Sequence, residues 1–84
     1  MSKIPVTVYT LPVCVQCDMT KRTLDRFGVD YTVVNLEDVP DKVAEFRQQG
    51  HLSAPIVTTD TKVWSGFRLN KIQSLANHIK SLEK

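Results

Sequence analysis

Two cysteines spaced as Cys14-Val15-Gln16-Cys17 stand where a β-branched run hands over to a helical period, and the 84 residues hold no other cysteine. That junction constrains the chain more than any other feature. Val6-Thr7-Val8-Tyr9-Thr10 reads as a strand, and Leu11-Pro12-Val13 breaks it. From residue 14 to 27 the apolar positions recur at helical spacing, with Val13, Cys17, Thr20, Leu24 and Phe27 on one stripe. Asp18, Lys21, Arg22 and Asp25 fall largely off it, and Gly28 is a natural stop. The motif therefore lies at a helix N-terminus, where unpaired backbone N–H groups and the helix dipole favour an anion.

The rest of the chain continues the alternation. Residues 31–35 read as a second strand. A second helix runs from Pro40, a favoured first-turn residue, to about Gln49, with Gly50 as its stop and Val43 and Phe46 as its apolar face. Ser53-Ala54-Pro55 is a turn. Residues 56–59 and 62–65 flank Asp60-Thr61 and read as a β-hairpin whose turn lacks glycine, so that its type is not assigned. Leu69 to Leu82 is the clearest helix, with Ile72, Leu75, Ala76, Ile79 and Leu82 in one stripe. The order is β-α-β-α-β-β-α, which predicts an α/β fold: a four-stranded mixed sheet flanked by three helices, built on a right-handed parallel crossover. At this length, one domain over residues 1–84 is expected.

Composition narrows the function. A net charge of +2 and a longest basic run of only Lys21-Arg22 speak against nucleic acid. No apolar run approaches the roughly 18–20 residues of a membrane span. Met1-Ser2-Lys3-Ile4-Pro5 shows no apolar core of a signal peptide, so a cytoplasmic location is expected, and separately a monomer. In a reducing compartment a close cysteine pair points to catalysis or metal binding rather than to a structural staple. At a helix mouth Cys14 should be exposed, with its thiol pKa below the free value of about 8.5. Cys17, on the stripe, should be sheltered. Cys14 would then attack a partner disulfide and Cys17 resolve the mixed disulfide. Half of a zinc site, an iron–sulfur centre bridging two chains, and two ordinary buried cysteines are the alternatives. For zinc, only His51 and His78 remain as nitrogen ligands, at spacings unlike a zinc finger.

Three stretches together carry a resemblance. They are Cys14-Val15-Gln16-Cys17 with Thr20-Lys21 after it, Ala54-Pro55-Ile56-Val57, and Trp64-Ser65-Gly66-Phe67-Arg68. Over nearly its whole length the chain resembles the thioredoxin superfamily, and within it the NrdH-type redoxins, glutaredoxin-like electron donors for ribonucleotide reductase. The resemblance implies a thioredoxin-like fold and a cis Ala54–Pro55 bond whose loop faces the cysteines and pairs with an extended substrate chain. Proline there also keeps a backbone donor away from the sulfurs. From the residues alone, Pro55 merely opens a strand. The resemblance further implies that Trp64 to Arg68 abuts the active site and shapes contact with thioredoxin reductase. From the residues alone, Trp64 and Phe67 could be core, Gly66 a turn, and Arg68 either a loop anchor or a solvated charge. Val15, Gln16, Ala54, Pro55 and Trp64 to Arg68 are thus the candidate partner-binding residues, beside catalytic Cys14 and Cys17.

Glutathione-binding glutaredoxins resemble one another in four places: a basic residue before the first cysteine, a CPYC-like motif, a Thr-Val-Pro turn, and a Gly-Gly-x-Asp-Asp stretch. This chain has Leu11-Pro12-Val13, Val15-Gln16, Ser53-Ala54-Pro55 and Ser65-Gly66-Phe67-Arg68 instead. Lost charge-assisted contacts of roughly 1.5–3 kcal/mol each should weaken glutathione binding severely. The expectation is reduction by thioredoxin reductase, with a potential nearer the roughly −270 mV of thioredoxin than the about −200 to −230 mV of glutaredoxins. A glutathione-dependent glutaredoxin or a general protein disulfide reductase is the alternative. No bound cofactor or metal is expected; the partners are the ribonucleotide reductase large subunit and thioredoxin reductase. Lys21 reads as a solvated charge or partner contact. Asp18, an anion in the first turn, opposes a very low thiol pKa. His51 and His78 read as surface residues, and Thr10 as structural.

Overall fold

Neighbouring residues of a strand face opposite ways, and β1 (Thr7–Thr10) uses this to serve two apolar cores. Val8 is fully buried in the larger core, beside Val57, Leu24 and Ile72, while Tyr9 packs against the smaller core of Leu36, Phe46 and Ile56. The computed structural model describes residues 4–82; residues 1–3, part of the N-terminal reading above, lie outside the described residues.

β1 is followed by α1 (Val15–Arg26), β2 (Thr32–Asn35), a single 3₁₀ turn (Leu36–Asp38), α2 (Pro40–Gln48), β3 (Ile56–Thr58), β4 (Val63–Ser65) and α3 (Leu69–Leu82). The sheet order is β2-β1-β3-β4. β1 runs parallel to β2, with Val8 opposite Val33, and antiparallel to β3, with Val8 opposite Val57. β3 and β4 are antiparallel, with Val57 opposite Trp64. α1 and α3 pack together on the larger core, and α2 covers the other face through Phe46, whose ring meets Tyr9 edge-on at 5.0 Å. This is the thioredoxin-like arrangement that the resemblance implied, with the elements in the expected order.

The glycine stops act as read. After α1, Gly28 adopts φ +71°, its N–H reaches the Asp25 carbonyl at 3.0 Å, and the Val29 N–H reaches that of Leu24 at 2.9 Å. After α2, Gly50 adopts φ +89° with the same pair of bonds, Gly50 to Arg47 at 3.0 Å and His51 to Phe46 at 2.8 Å. Both are Schellman ends, in which a left-handed residue lets the chain turn back over the last carbonyls.

Details differ from the sequence reading. Val13 is 96% exposed, because the helix starts only after Cys14 and the stripe does not extend upstream of it. Leu82, at the far end of the α3 stripe, is exposed as well. The hairpin strands are each one residue shorter at the turn. In place of a two-residue turn, the Thr59 N–H donates to the Lys62 carbonyl at 2.8 Å, and the Thr59 hydroxyl accepts from the Thr61 and Lys62 amides at 3.3 and 3.0 Å. A threonine side chain thus supplies what glycine would otherwise have allowed. Among the described residues no helix is long and apolar enough to cross a membrane.

Candidate active site

Cys14 occupies the N-cap of α1, in extended conformation at φ −153° and ψ 103°. The Asp18 N–H donates to its carbonyl at 3.2 Å, which begins the helix, and the Cys17 N–H donates to its Sγ at 3.1 Å. An N-cap side chain ordinarily offers oxygen to these first amides; here a sulfur takes that place. Cys14 is half-buried and Cys17 is 1% exposed. The two are joined in a disulfide, with Cα atoms 5.2 Å apart. Cys14 is thus less exposed than expected but is the more open of the two, and Cys17 is sheltered.

The Ala54–Pro55 bond is cis, as the resemblance implied, and Pro55 is fully buried while Ala54 is half-buried. The Pro55 carbonyl accepts from the Gly66 N–H at 2.8 Å, and the Gln16 Oε1 accepts from the Phe67 N–H at 3.2 Å. The segments 14–17, 54–55 and 65–68, far apart in sequence, are thereby joined by hydrogen bonds. Gly66 makes the turn between them at φ +81°, which a side chain would disfavour. Arg68 Nε donates to the Ser65 carbonyl at 3.3 Å, and the Arg68 carbonyl accepts from the Ile72 N–H at 3.0 Å, so this residue is a loop anchor at the start of α3.

Trp64 lies apart from this surface. It is 4% exposed in the larger core, so it supports the loop by packing and offers no face to a partner. Phe67 is half-buried against the same core. Val15 and Gln16 are exposed beside Cys14. Lys21 pairs with Asp18 across 3.6 Å, an exposed i,i+3 pair that contributes little.

His78 is exposed as read, but His51 is not a plain surface residue. The Schellman end of α2 turns its ring onto Phe46, edge-on at 6.4 Å, and its Nδ1 lies 3.2 Å from the Ser65 Oγ. Its position directly after Gly50 was the available signal, since the residue after the glycine commonly packs back on the helix. Leu11 and Leu52 were also missed. Both are exposed, and together with Ala54, Phe46 and Ile56 they line a groove of about 280 Å³. Glu37, Arg47 and His51 also line it, and Val13 and Val15, on either side of Cys14 in the chain, are exposed as well. Among the described residues no three side chains of His, Cys, Asp or Glu gather as a metal site.

Comparison with known proteins agrees with this geometry. The glutaredoxin family model matches residues 6–64. The glutaredoxin-like protein NrdH of Escherichia coli K12 is 39% identical over 70 residues, which are 83% of this chain and 86% of that protein. The NrdH of Lactococcus lactis subsp. cremoris is 34% identical over 71 residues, 84% of this chain and 99% of that protein. Among solved structures, the NrdH-redoxin of E. coli, described as glutaredoxin-like with a thioredoxin-like activity profile, superposes with a TM-score of 0.80 at 38% identity. That match covers 84% of this chain and 93% of the other.

Proposed function

We propose, from the premise that this chain belongs to the glutaredoxin family and within it to the NrdH-type glutaredoxin-like proteins, that it carries electrons from thioredoxin reductase to the large subunit of ribonucleotide reductase. It is a thiol–disulfide oxidoreductase with its cysteine pair at Cys14 and Cys17. In the reduced protein the Cys14 thiolate attacks one sulfur of the partner disulfide, and the other partner sulfur leaves as a thiolate that takes up a proton. Cys17, deprotonated, then attacks Cys14 Sγ. The mixed disulfide breaks, the second partner thiol departs, and the Cys14–Cys17 disulfide remains. Two electrons have passed to the partner, and thioredoxin reductase returns two. The electrons reside on the sulfurs, so the cycle requires no resident cofactor. It runs in the cytosol, on a single-domain monomer, where thiols are kept reduced and a cysteine pair serves turnover.

One observation supports a protein partner over glutathione. Val13 and Val15, on either side of Cys14 in the chain, are exposed at 96% and 75%, and Leu52, in the groove that Leu11 and Ala54 also line, at 77%. Such a surface suits a folded protein partner. A tripeptide with two carboxylates would need cationic and amide contacts, and the Phe67 amide is already taken by Gln16. The test is NADPH oxidation coupled either to thioredoxin reductase or to glutathione with glutathione reductase, with oxidised ribonucleotide reductase as acceptor. Turnover is expected with the first couple and not the second. Turnover with the glutathione couple alone overturns the reading. Cys14→Ser should abolish attack, and Cys17→Ser should accumulate mixed disulfides. Undiminished multiple turnover by Cys17→Ser would refute the division of roles.

A further inference from the structure

Gln16 has no part in the sulfur chemistry, yet it is the residue of the motif that reaches furthest. Its Oε1 accepts from the Phe67 backbone N–H at 3.2 Å, a contact spanning 51 residues of sequence. The opposing group is an N–H donor, so the amide oxygen and not the NH₂ must face it. The neighbouring Gly66 N–H is held by the Pro55 carbonyl at 2.8 Å. Two successive amides of one loop are therefore pinned from two sides, one by the cysteine motif and one by the cis-proline segment. Gly66 sits between at φ +81°, a backbone conformation that a side chain would disfavour. Beyond the tether, Phe67 packs on the core and Arg68 binds back to the Ser65 carbonyl. Without Gln16, nothing from α1 holds the Phe67 amide, and water competes for it at an exposed position.

We propose that Gln16 is a positioning residue that fixes the 65–68 loop beside the cysteine motif and thereby sets affinity for protein disulfides rather than the reactivity of Cys14. The inference rests on the reading of protein disulfides as substrates. A preformed loop spares a partner the ordering of that segment on binding. Small disulfides, which touch only the sulfurs, gain nothing from it.

The test uses Gln16→Met, unbranched and of similar length but without the acceptor, and Gln16→Glu, which keeps an oxygen at the same reach. The substrates are insulin, reduced with dithiothreitol as electron source, and the small aromatic disulfide dithiobis(nitrobenzoate). Amide hydrogen exchange at Phe67, read by NMR on the disulfide form, reports the tether directly. In Gln16→Met the Phe67 amide should exchange about tenfold faster, and the KM for insulin should rise about five- to tenfold. That rise should exceed any change in kcat or in the rate with the aromatic disulfide. Such a factor corresponds to about 1–1.4 kcal/mol at 1.4 kcal/mol per tenfold, the size of one net hydrogen bond. Gln16→Glu should restore both the exchange rate and the KM. Faster exchange with an unmoved KM, or a raised KM with unchanged exchange, overturns the proposal. So does an equal loss with both substrates, which would place the effect on the thiols. Failure of the function reading shows instead in the unaltered protein, as reduction of the aromatic disulfide without reduction of insulin.

Discussion

Thr20 lies one turn beyond Cys17 on α1, fully buried, and its hydroxyl has no hydrogen-bond partner among the described residues. A buried polar group left unmatched costs roughly 1–3 kcal/mol, and valine has nearly the same shape without the hydroxyl. Thr20→Val should therefore stabilise the fold by about 1 kcal/mol, a rise of about 4–8 °C in Tm for a domain of this size. A thermal melt showing no gain would place a partner on that oxygen. Tyr31 carries the second residue-scale prediction. Burial first, and the Asp25 carboxylate beside it second, hold its phenol above the ordinary value of about 10. The folded state thus prefers the protonated phenol. The stability this contributes is fully present below pH 10 and is lost as pH rises through the folded value. Urea unfolding should show stability falling above pH 10, and Tyr31→Phe should remove that component of the fall. An identical pH profile in Tyr31→Phe would assign the loss to other groups. Neither effect was legible in the sequence: Thr20 was correctly placed on the buried stripe, but periodicity reports which face a residue takes and not what its hydroxyl meets there.

At the scale of elements, the helix ends were the most legible features and also the most consequential. Gly28 and Gly50 were read as stops, and both end their helices in the left-handed region. What periodicity could not convey is where the chain goes next. After Gly50 it delivers His51 onto Phe46 and towards Ser65, which ties the end of α2 to the end of β4. A residue read as surface became a link in the site because its position is set by a backbone turn rather than by a pattern of its own. The same limit explains the hairpin, where Thr59 substitutes side-chain bonds for a glycine turn. A methyl group at Gly50 would meet no atom within 4 Å, so the penalty of Gly50→Ala is that of the backbone alone. Gly50→Ala should destabilise by about 1–2 kcal/mol and Gly50→Asn by less, since asparagine tolerates this region. Urea denaturation of the two variants checks the order, and a neutral alanine would mean that the φ +89° turn is not maintained.

For the whole molecule, the sheet explains why three distant segments meet. β1 and β3 are central neighbours, and the chain leaves β1 towards Cys14 at the same end where it enters β3 from Pro55, because the two strands are antiparallel. β4 in turn is antiparallel to β3, so its exit at Ser65 returns to that end. Strand order alone thus places 14–17, 54–55 and 65–68 together, and the β-α-β-α-β-β-α reading already contained this once the pairing was known. The sequence lacked the pairing itself, which is non-local, and the apolar loop residues, which follow no period. Those residues carry the last prediction. Val13 and Leu52 are exposed and outside both cores, so changing them to serine should leave stability within about 0.5 kcal/mol. Serine is neutral and leaves the electrostatics around Cys14 alone. If a protein partner covers this surface, each side chain buried there contributes up to about 1.5–3 kcal/mol, much of it offset by the ordering that binding requires. The paired variant Val13→Ser, Leu52→Ser should then lose about tenfold or more in kcat/KM with thioredoxin reductase, while its rate with dithiobis(nitrobenzoate) stays within about two-fold. A parallel loss with both would put the fault in the sulfur chemistry. Retention of both would show that partners approach Cys14 from another side.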